Sequence, residues 1–338
     1  LETNLHDLSG PDSLYLDWES RLFNSSFSFE RLALEAFHYQ ASQNSVYAAY
    51  LQALHCKPEG VDNIQKIPFF PIGFFKSHAV KSGTFSPTLV FESSTTTGTS
   101  PSQRLVRNPS LYRSSFLHGF EQFWGSPQNT CIIGLLPSYP ERKNSSLAYM
   151  VAELIERSGH PNSGFYLNET DALAKTLIQL ESKKQRTLLI GVTFALLDFA
   201  SAHPQKLQHT TLIETGGMKG RSEEITREEV HTRLKKAFQL PSIASEYGMT
   251  ELFSQAWSKA NGLFECPPWM RVLVREEEDP LSINSFGNGG LNIIDLANID
   301  SCCFIATDDA GRVHPDGRFE MLGRLDGASI RGCSLLTA

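Results

Sequence analysis

Three polar segments of this chain carry side chains suited to holding a nucleotide. The first, Ser93-Ser94-Thr95-Thr96-Thr97-Gly98-Thr99-Ser100, follows the apolar stretch Thr88 to Phe91. Hydroxyls grouped around one glycine after a strand can wrap a phosphate with backbone N–H groups and Ser/Thr side chains, supplying neutral donors without a fixed cation. A flexible polar linker has the same composition, so this segment alone does not choose between the two.

The second is Ser245-Glu246-Tyr247-Gly248-Met249-Thr250-Glu251, after an apolar strand candidate ending near Ala244. Tyr247 can lie flat on a purine and Gly248 lets the backbone approach a ligand. Thr250 can donate to a phosphate oxygen, and Glu251 offers a carboxylate to magnesium. The alternative is a plain strand end with Thr250 as an N-cap and Glu251 in a first helical turn, which the helix dipole favours anyway. The third segment runs from Ile305 to Asp326 and contains Thr307-Asp308-Asp309, Pro315-Asp316-Gly317 and Gly323-Arg324-Leu325-Asp326. Asp309 can accept from a ribose diol, and Pro315-Asp316-Gly317 makes a tight turn from which the chain returns to Gly323-Arg324. A simple hairpin explains the turn but not the Asp and Arg on either side of it.

Composition removes several other functions. The 338 residues are 41% hydrophobic and 20% charged, which suits a soluble globular protein of one large or two ordinary domains. The net charge of −7 gives no broad basic surface for nucleic acid. No apolar run approaches the roughly 20 residues of a membrane span, and Leu1 to Asp12 carries no secretory signal pattern, so a cytoplasmic location is expected. Cys56, Cys131, Cys266, Cys302, Cys303 and Cys333 are scattered in a way that suits neither a zinc site nor a disulfide framework, and reduced thiols are expected. The histidines show no HExxH spacing; GxxxxGK[ST] and GxSxG are also absent, which disfavours P-loop NTPases and Ser-His-Asp hydrolases.

The elements that must position the three segments follow from periodicity. Phe29 to Leu54 reads as one or two helices, and Pro68 and Pro71 end that region. Strands are predicted at Cys131–Leu136, Thr187–Val192 and Thr210–Glu214, with helices at Ser146–Arg157, Ala172–Ser182, Thr193–Ala200 and Thr226–Phe238. Such alternation predicts a largely parallel sheet with covered faces. Past Trp269 the pattern changes to short strands at Met270–Val274, Gly290–Ile294, Cys302–Ala306 and Arg318–Leu322, a small antiparallel or barrel-like subdomain. The acidic run Glu276-Glu277-Glu278-Asp279 reads as a solvated hairpin or loop.

In order and spacing, the three segments resemble the core motifs of the adenylate-forming superfamily of acyl-CoA synthetases, luciferases and peptide-synthetase adenylation domains. The hydroxyl-rich loop is similar to that family's phosphate loop, Tyr247-Gly248-Met249-Thr250-Glu251 to its YGxTE motif, Thr307-Asp308-Asp309 to its Thr-Gly-Asp, and Gly323-Arg324-Leu325-Asp326 to its hinge. Leu136 to Arg142, Ser145-Ser146-Leu147, Glu214 to Arg221 and Ile330 to Cys333 resemble the LuxE-type acyl-protein synthetases, nearly end to end.

The resemblance implies an α/β fold: the large N-terminal domain of adenylate-forming enzymes, with mixed and parallel sheets covered by helices plus a small β-barrel-like subdomain. On this reading residues 1–268 are the adenylation core, 269–326 its small β subdomain, and 327–338 a short tail where full-length relatives carry a lid domain with a catalytic lysine. It implies use of ATP and Mg2+ to activate a carboxylic acid, fatty or aryl, as acyl-adenylate with release of pyrophosphate, then acyl transfer to a thiol. Ser94 and Thr95 to Thr99, including Gly98, would cradle the phosphates, and Gly216 and Gly217 with Tyr247 and Gly248 would line the adenine. Thr250 would contact the α-phosphate or the acid, Glu251 would hold magnesium, Asp309 the ribose hydroxyls and Arg324 the ribose or a phosphate.

Two departures accompany the resemblance. The family's phosphate loop ends in Pro-Lys, whereas Pro101 is followed by Ser102 and Gln103; Arg104 or Lys219 is the expected substitute cation. The short ending also draws attention to Cys333, because proteins of this type accept the acyl group on a cysteine near the carboxy terminus. A small apolar packing role is the alternative for Cys333, and coenzyme A, a carrier protein or a reductase are alternative acceptors. Phe69-Phe70, Phe74-Phe75 and Leu135-Leu136 suit either an acid pocket or plain core. The competing functional expectation is a lidless nucleotide- or acyl-binding partner without turnover.

Overall fold

The computed structural model describes residues 12–23, 26–94, 100–216, 225–276 and 278–325, with side chains from residue 17 onward. A six-stranded sheet runs in the order Gly164–Phe165, Cys131–Leu135, Thr187–Gly191, Thr210–Glu214, Ala244–Tyr247, Ala256–Ser258. The first five strands are parallel and the last is antiparallel. Cys131–Leu135 and Thr187–Gly191 are buried at every position, as a strand covered on both faces must be. Alternate side chains divide the core: Ile133, Leu189 and Leu212 pack with residues of the helices Thr170–Ser182, Thr193–Ala202 and Arg227–Phe238. Ile132, Leu188 and Ile213 face the other way, into the core that includes the helices Pro109–Trp124 and Ser146–Ser158.

Local chemistry sets the helix ends. Phe29–Gln43 and Ser45–Ala53 are two helices rather than one because Asn44 leaves the helical backbone between them, and its side chain accepts from Tyr47 N–H to cap the second. Thr226 caps Arg227–Phe238 through Glu229 N–H, and Asn108 with Pro109 opens the helix to Trp124.

A second, seven-stranded sheet has the order Leu263–Phe264, Phe319–Arg324, Phe304–Val313, Gly287–Asp295, Met270–Arg275, Ile283–Asn284, with Phe70–Pro71 added in parallel against Phe304–Val313. All its other pairings are antiparallel. The amino-terminal helices fasten onto its loops: Trp18 Nε1 donates to the Leu296 carbonyl at 2.8 Å, and Gln40 donates to those of Asn298 and Ile299 while accepting from Cys303 N–H. Phe37, Tyr47, Phe70 and Phe304 pack edge-on or stacked over that junction. A hairpin of Leu89–Glu92 and Gln103–Val106 forms a third, two-stranded sheet.

The architecture is the mixed α/β one expected, with a strongly antiparallel second sheet. Three details differ from the sequence reading. The strand expected at Cys302–Ala306 begins at Phe304 and continues to Val313, so Thr307 to Asp309 lie within a strand. Tyr247 ends its strand rather than following it, and residues 248–255 turn into Ala256–Ser258 with no helix for Thr250 to cap. The helix Pro109–Trp124 was not anticipated. No described helix is long and apolar enough to cross a membrane.

Candidate functional site

The strands Thr210–Glu214 and Ala244–Tyr247 are parallel neighbours, with Glu214 beside Ser245, so the segments leaving their carboxyl ends lie side by side. Open α/β sheets bind ligands at that edge. A cavity of about 670 Å³ opens there, walled by Glu214 to Gly216, by Glu246 to Glu251, and across from them by Thr307 to Asp309 and Arg324 of the second sheet. The hairpin contributes Ser93, Ser94, Ser100 and Ser102, and the turn after Phe70–Pro71 contributes Ile72, Gly73 and Lys76.

The two sheets meet in a hydrogen bond: Tyr247 Oη donates to Asp309 Oδ2 at 2.7 Å. Thr307 Oγ1 accepts from Asp309 N–H at 3.2 Å and donates to the Leu291 carbonyl at 2.8 Å, which fixes the backbone carrying the carboxylate. Pairing between Phe304–Val313 and Phe319–Arg324 slips between Ala310 and Gly311, and beyond the slip Asp309 stands opposite Arg324. The Arg324 guanidinium bonds Asp308 at 3.3 Å and lies 3.9 Å from Asp309. Burial raises the Asp309 carboxyl above its ordinary range, against the pull of Tyr247 and Arg324.

Under the Gly216 corner sits a second network. Glu214 is buried, accepts from Thr193 Oγ1 and from Gly216 N–H at 2.7 Å, and lies 3.9 Å from His231 Nε2. Burial alone would raise its carboxyl; the nearby His231 and the Thr193 hydrogen bond prevail and hold it low. Gly216 takes φ +75, a backbone state that glycine adopts at little cost, and Thr193 N–H secures its carbonyl at 3.0 Å. Glu246 shows the opposite outcome. Burial and the neighbouring Glu214 charge push its carboxyl up to about 8. A Cβ at Gly248 would meet that carboxyl, so a larger residue there requires the Glu246 side chain to move.

Glu251 is buried beside Ser102, whose hydrogen bond, with the charges of Lys76 and Arg324, opposes the upward push of burial on its carboxyl. Its segment is held from behind. Asp295 accepts from Phe253 N–H and Ser254 N–H at 2.8 and 2.9 Å, and Asn298 Nδ2 donates to the Glu251 carbonyl at 2.8 Å. Arg104 belongs to this support rather than to the cavity. It is fully buried, bonds Asp300 at 2.5 Å and Asn298 at 3.2 Å, and lies over the Phe253 ring at 4.0 Å. The expectation that Arg104 supplies a phosphate cation is therefore corrected.

The structure brings Ser94, Gly216, Tyr247, Gly248, Thr250, Glu251, Asp309 and Arg324 to one cavity. Thr95, Thr96, Thr97, Gly98, Thr99, Gly217, Lys219 and Cys333 lie outside the described residues. Lys76 and Arg227 line the same cavity and were missed, because each is a single cation in a segment with no motif around it. Arg227 donates to the Met321 carbonyl at 3.3 Å and lies over the Phe264 ring at 5.2 Å. Phe69, Phe70, Phe75, Leu135 and Leu136 are core, whereas Ile72, Met249 and Met321 give the cavity its apolar wall. Among the described residues no cysteine lines it; burial raises Cys131 to about 11 and Cys302 to about 12, so these thiols stay protonated.

Comparison with known proteins gives the family and the fold of this chain. A family model described as acyl-protein synthetase, LuxE, matches residues 9–338. A search of curated proteins finds no match. Among solved structures, 2-hydroxyisobutyryl-CoA ligase in complex with 2-HIB-AMP and CoA is 12% identical and aligns over 88% of this chain and 74% of that chain, with a TM-score of 0.61. ATP-bound MatB from Rhodopseudomonas palustris is 16% identical over 71% of this chain, with a TM-score of 0.52. The match covers 49% of that chain, so this chain spans about half of MatB. At these identities the likeness is one of fold.

Proposed function

Because this chain belongs to the LuxE family of acyl-protein synthetases, we propose that its cavity binds ATP and joins a carboxylic acid to the α-phosphate, forming acyl-adenylate and pyrophosphate. The observation that carries the reading is the Tyr247–Asp309 bond at the cavity wall, with Gly216 on one side and Glu251 on another. It sets an aromatic face, an acceptor for vicinal hydroxyls and a carboxylate around one space of about 670 Å³.

In this account the adenine lies against Tyr247 beside Gly216, the ribose diol donates to Asp309, and Arg324 binds the ribose or a phosphate. Ser94, with the hydroxyls and Gly98 of the Thr95 to Thr99 stretch, receives the phosphates, and Gly217 continues the adenine wall. Among the described residues no three His, Cys, Asp or Glu side chains form a metal cluster. Magnesium fits here as that ion is usually held, by one carboxylate, Glu251, together with phosphate oxygens. When bound it neutralises charge on the triphosphate.

An oxygen of the substrate carboxylate attacks the α-phosphorus; an O–P bond forms as the bond to pyrophosphate breaks. The acid is already ionised at neutral pH, so no protein base is needed, and Thr250 orients the α-phosphate or the acid. A thiolate then attacks the acyl carbon, forming the C–S bond as AMP leaves. We assign that thiol to Cys333, with coenzyme A, a carrier protein or a reductase as the other acceptors a test distinguishes. The wall of Ile72, Met249 and Met321 favours a fatty or aryl acid.

The reading is tested by incubating the protein with ATP, magnesium and a panel of carboxylic acids. AMP and pyrophosphate should appear only when an acid is present. Nucleotide binding without turnover on any acid would replace the enzyme with a binding partner.

A further inference from the structure

We propose that Lys76 is the cation that holds the β- and γ-phosphates of ATP and the departing pyrophosphate. The inference rests on the adenylation reading and deepens it. A triphosphate brings several negative charges into a cavity whose wall already carries Glu214, Glu251, Asp308 and Asp309. The described hairpin residues that face it, Ser93, Ser94, Ser100 and Ser102, are all neutral. A side-chain cation that assists magnesium in offsetting this charge has to come from another element.

Three basic side chains line the cavity among the described residues: Lys76, Arg227 and Arg324. Arg324 is engaged by Asp308 and Asp309, at the end of the cavity where Tyr247 bonds Asp309. Arg227 is held by the Met321 carbonyl and the Phe264 ring, and Phe264 in turn packs against Tyr247. Arg227 therefore serves the nucleoside end, and Arg324, although its charge also reaches Glu251, is committed to two carboxylates. Lys76 ends the short helical turn Ile72–Lys76, which packs on the strand Gln103–Val106 that leaves the hydroxyl-rich segment. Its ammonium is exposed, has no hydrogen-bond partner among the described residues, and acts electrostatically on Glu251, the carboxylate bonded to Ser102. Turn, hairpin exit and Glu251 thus gather a free cation, neutral donors and a carboxylate on one side, which is the composition that a metal-bound polyphosphate needs.

The geometry also explains why Arg104, only one residue past Gln103, is not this cation. Its guanidinium is turned inward to Asp300 and is fully buried. On a flexible stem, an exposed lysine acts as a point charge that can follow pyrophosphate as it leaves.

The test compares wild type, Lys76→Met and Lys76→Arg in acid-dependent pyrophosphate release, with AMP and ATP affinities measured by calorimetry in magnesium. Lys76→Met should raise the KM for ATP and the inhibition constant of pyrophosphate by about 10- to 100-fold, with AMP affinity and the KM for the acid within about twofold. Lys76→Arg should recover most of the loss, and melting temperatures should agree because the side chain is exposed. Unchanged ATP and pyrophosphate affinities would overturn the assignment, as would an equal loss of AMP binding or a loss confined to the acid. If wild type itself neither binds ATP nor releases pyrophosphate, the adenylation reading fails and this assignment with it; a working wild type with an indifferent Lys76→Met removes the assignment alone.

Discussion

Tyr247 donates its hydroxyl to Asp309 across 2.7 Å, joining the carboxyl end of a parallel strand to the middle of an antiparallel one. If Asp309 accepts the ribose diol, wild type should prefer ATP to 2′-deoxy-ATP by about tenfold or more in KM, and Asp309→Asn should reduce that preference to about twofold. Tyr247→Phe, which keeps the ring, should raise the KM for ATP only severalfold while preserving the ribose preference. Equal discrimination in wild type and Asp309→Asn would place the ribose elsewhere.

Glu246 gives a pH signature. Its carboxyl stands at about 8 in the folded protein against an ordinary value of 4.5, because of burial and the nearby Glu214 charge. Between those values the folded state keeps a proton that the unfolded chain releases. The associated stability is present at low pH and falls as pH rises towards the folded value. Glu246→Gln removes this slope, so its stability relative to wild type should grow between about pH 5.5 and 8.5, reaching on the order of 2 kcal/mol. Urea unfolding at several pH values checks this, and a constant difference would contradict it.

Arg104 and Asp300 form a fully buried ion pair at 2.5 Å behind the segment that presents Glu251. Arg104→Met leaves Asp300 buried beside an apolar side chain and should cost about 3–5 kcal/mol in urea unfolding. Arg104→Met with Asp300→Asn should recover much of that loss, since the uncompensated charge is gone. Additive costs in the double variant would mean that the two residues do not act as a pair.

These residues also mark how far the sequence could be read. The parallel sheet and its helices were legible because Cys131–Leu135, Thr187–Gly191 and the amphipathic helices obey simple periods. The Tyr247 to Glu251 and Thr307 to Asp309 segments were recognisable by local order, and they do converge on one cavity. Arg104 was misread because its partner Asp300 lies 196 residues away, and no local pattern announces a long-range ion pair. Lys76 follows the apolar run that reads as core, so its place at the cavity comes from the turn Ile72–Lys76 and not from a motif. The strand Phe304–Val313 was read too short because Thr307, Asp308 and Asp309 interrupt its apolar run.

Cys333 lies outside the described residues, and its role is accessible only by chemistry. Cys333→Ser should release pyrophosphate at a rate within about threefold of wild type yet show no acyl mass increment on the intact chain. Retained acylation in that variant would assign the acceptor to another thiol.

Attack by the acid on the α-phosphorus is tested most directly with an 18O-labelled carboxylate, choosing the acid that gives the most pyrophosphate. Acyl transfer from the adenylate leaves one carboxylate oxygen on the phosphate, so AMP should carry a single 18O and pyrophosphate should be unlabelled. Unlabelled AMP, or ADP formed together with labelled phosphate, would contradict adenylation at this site.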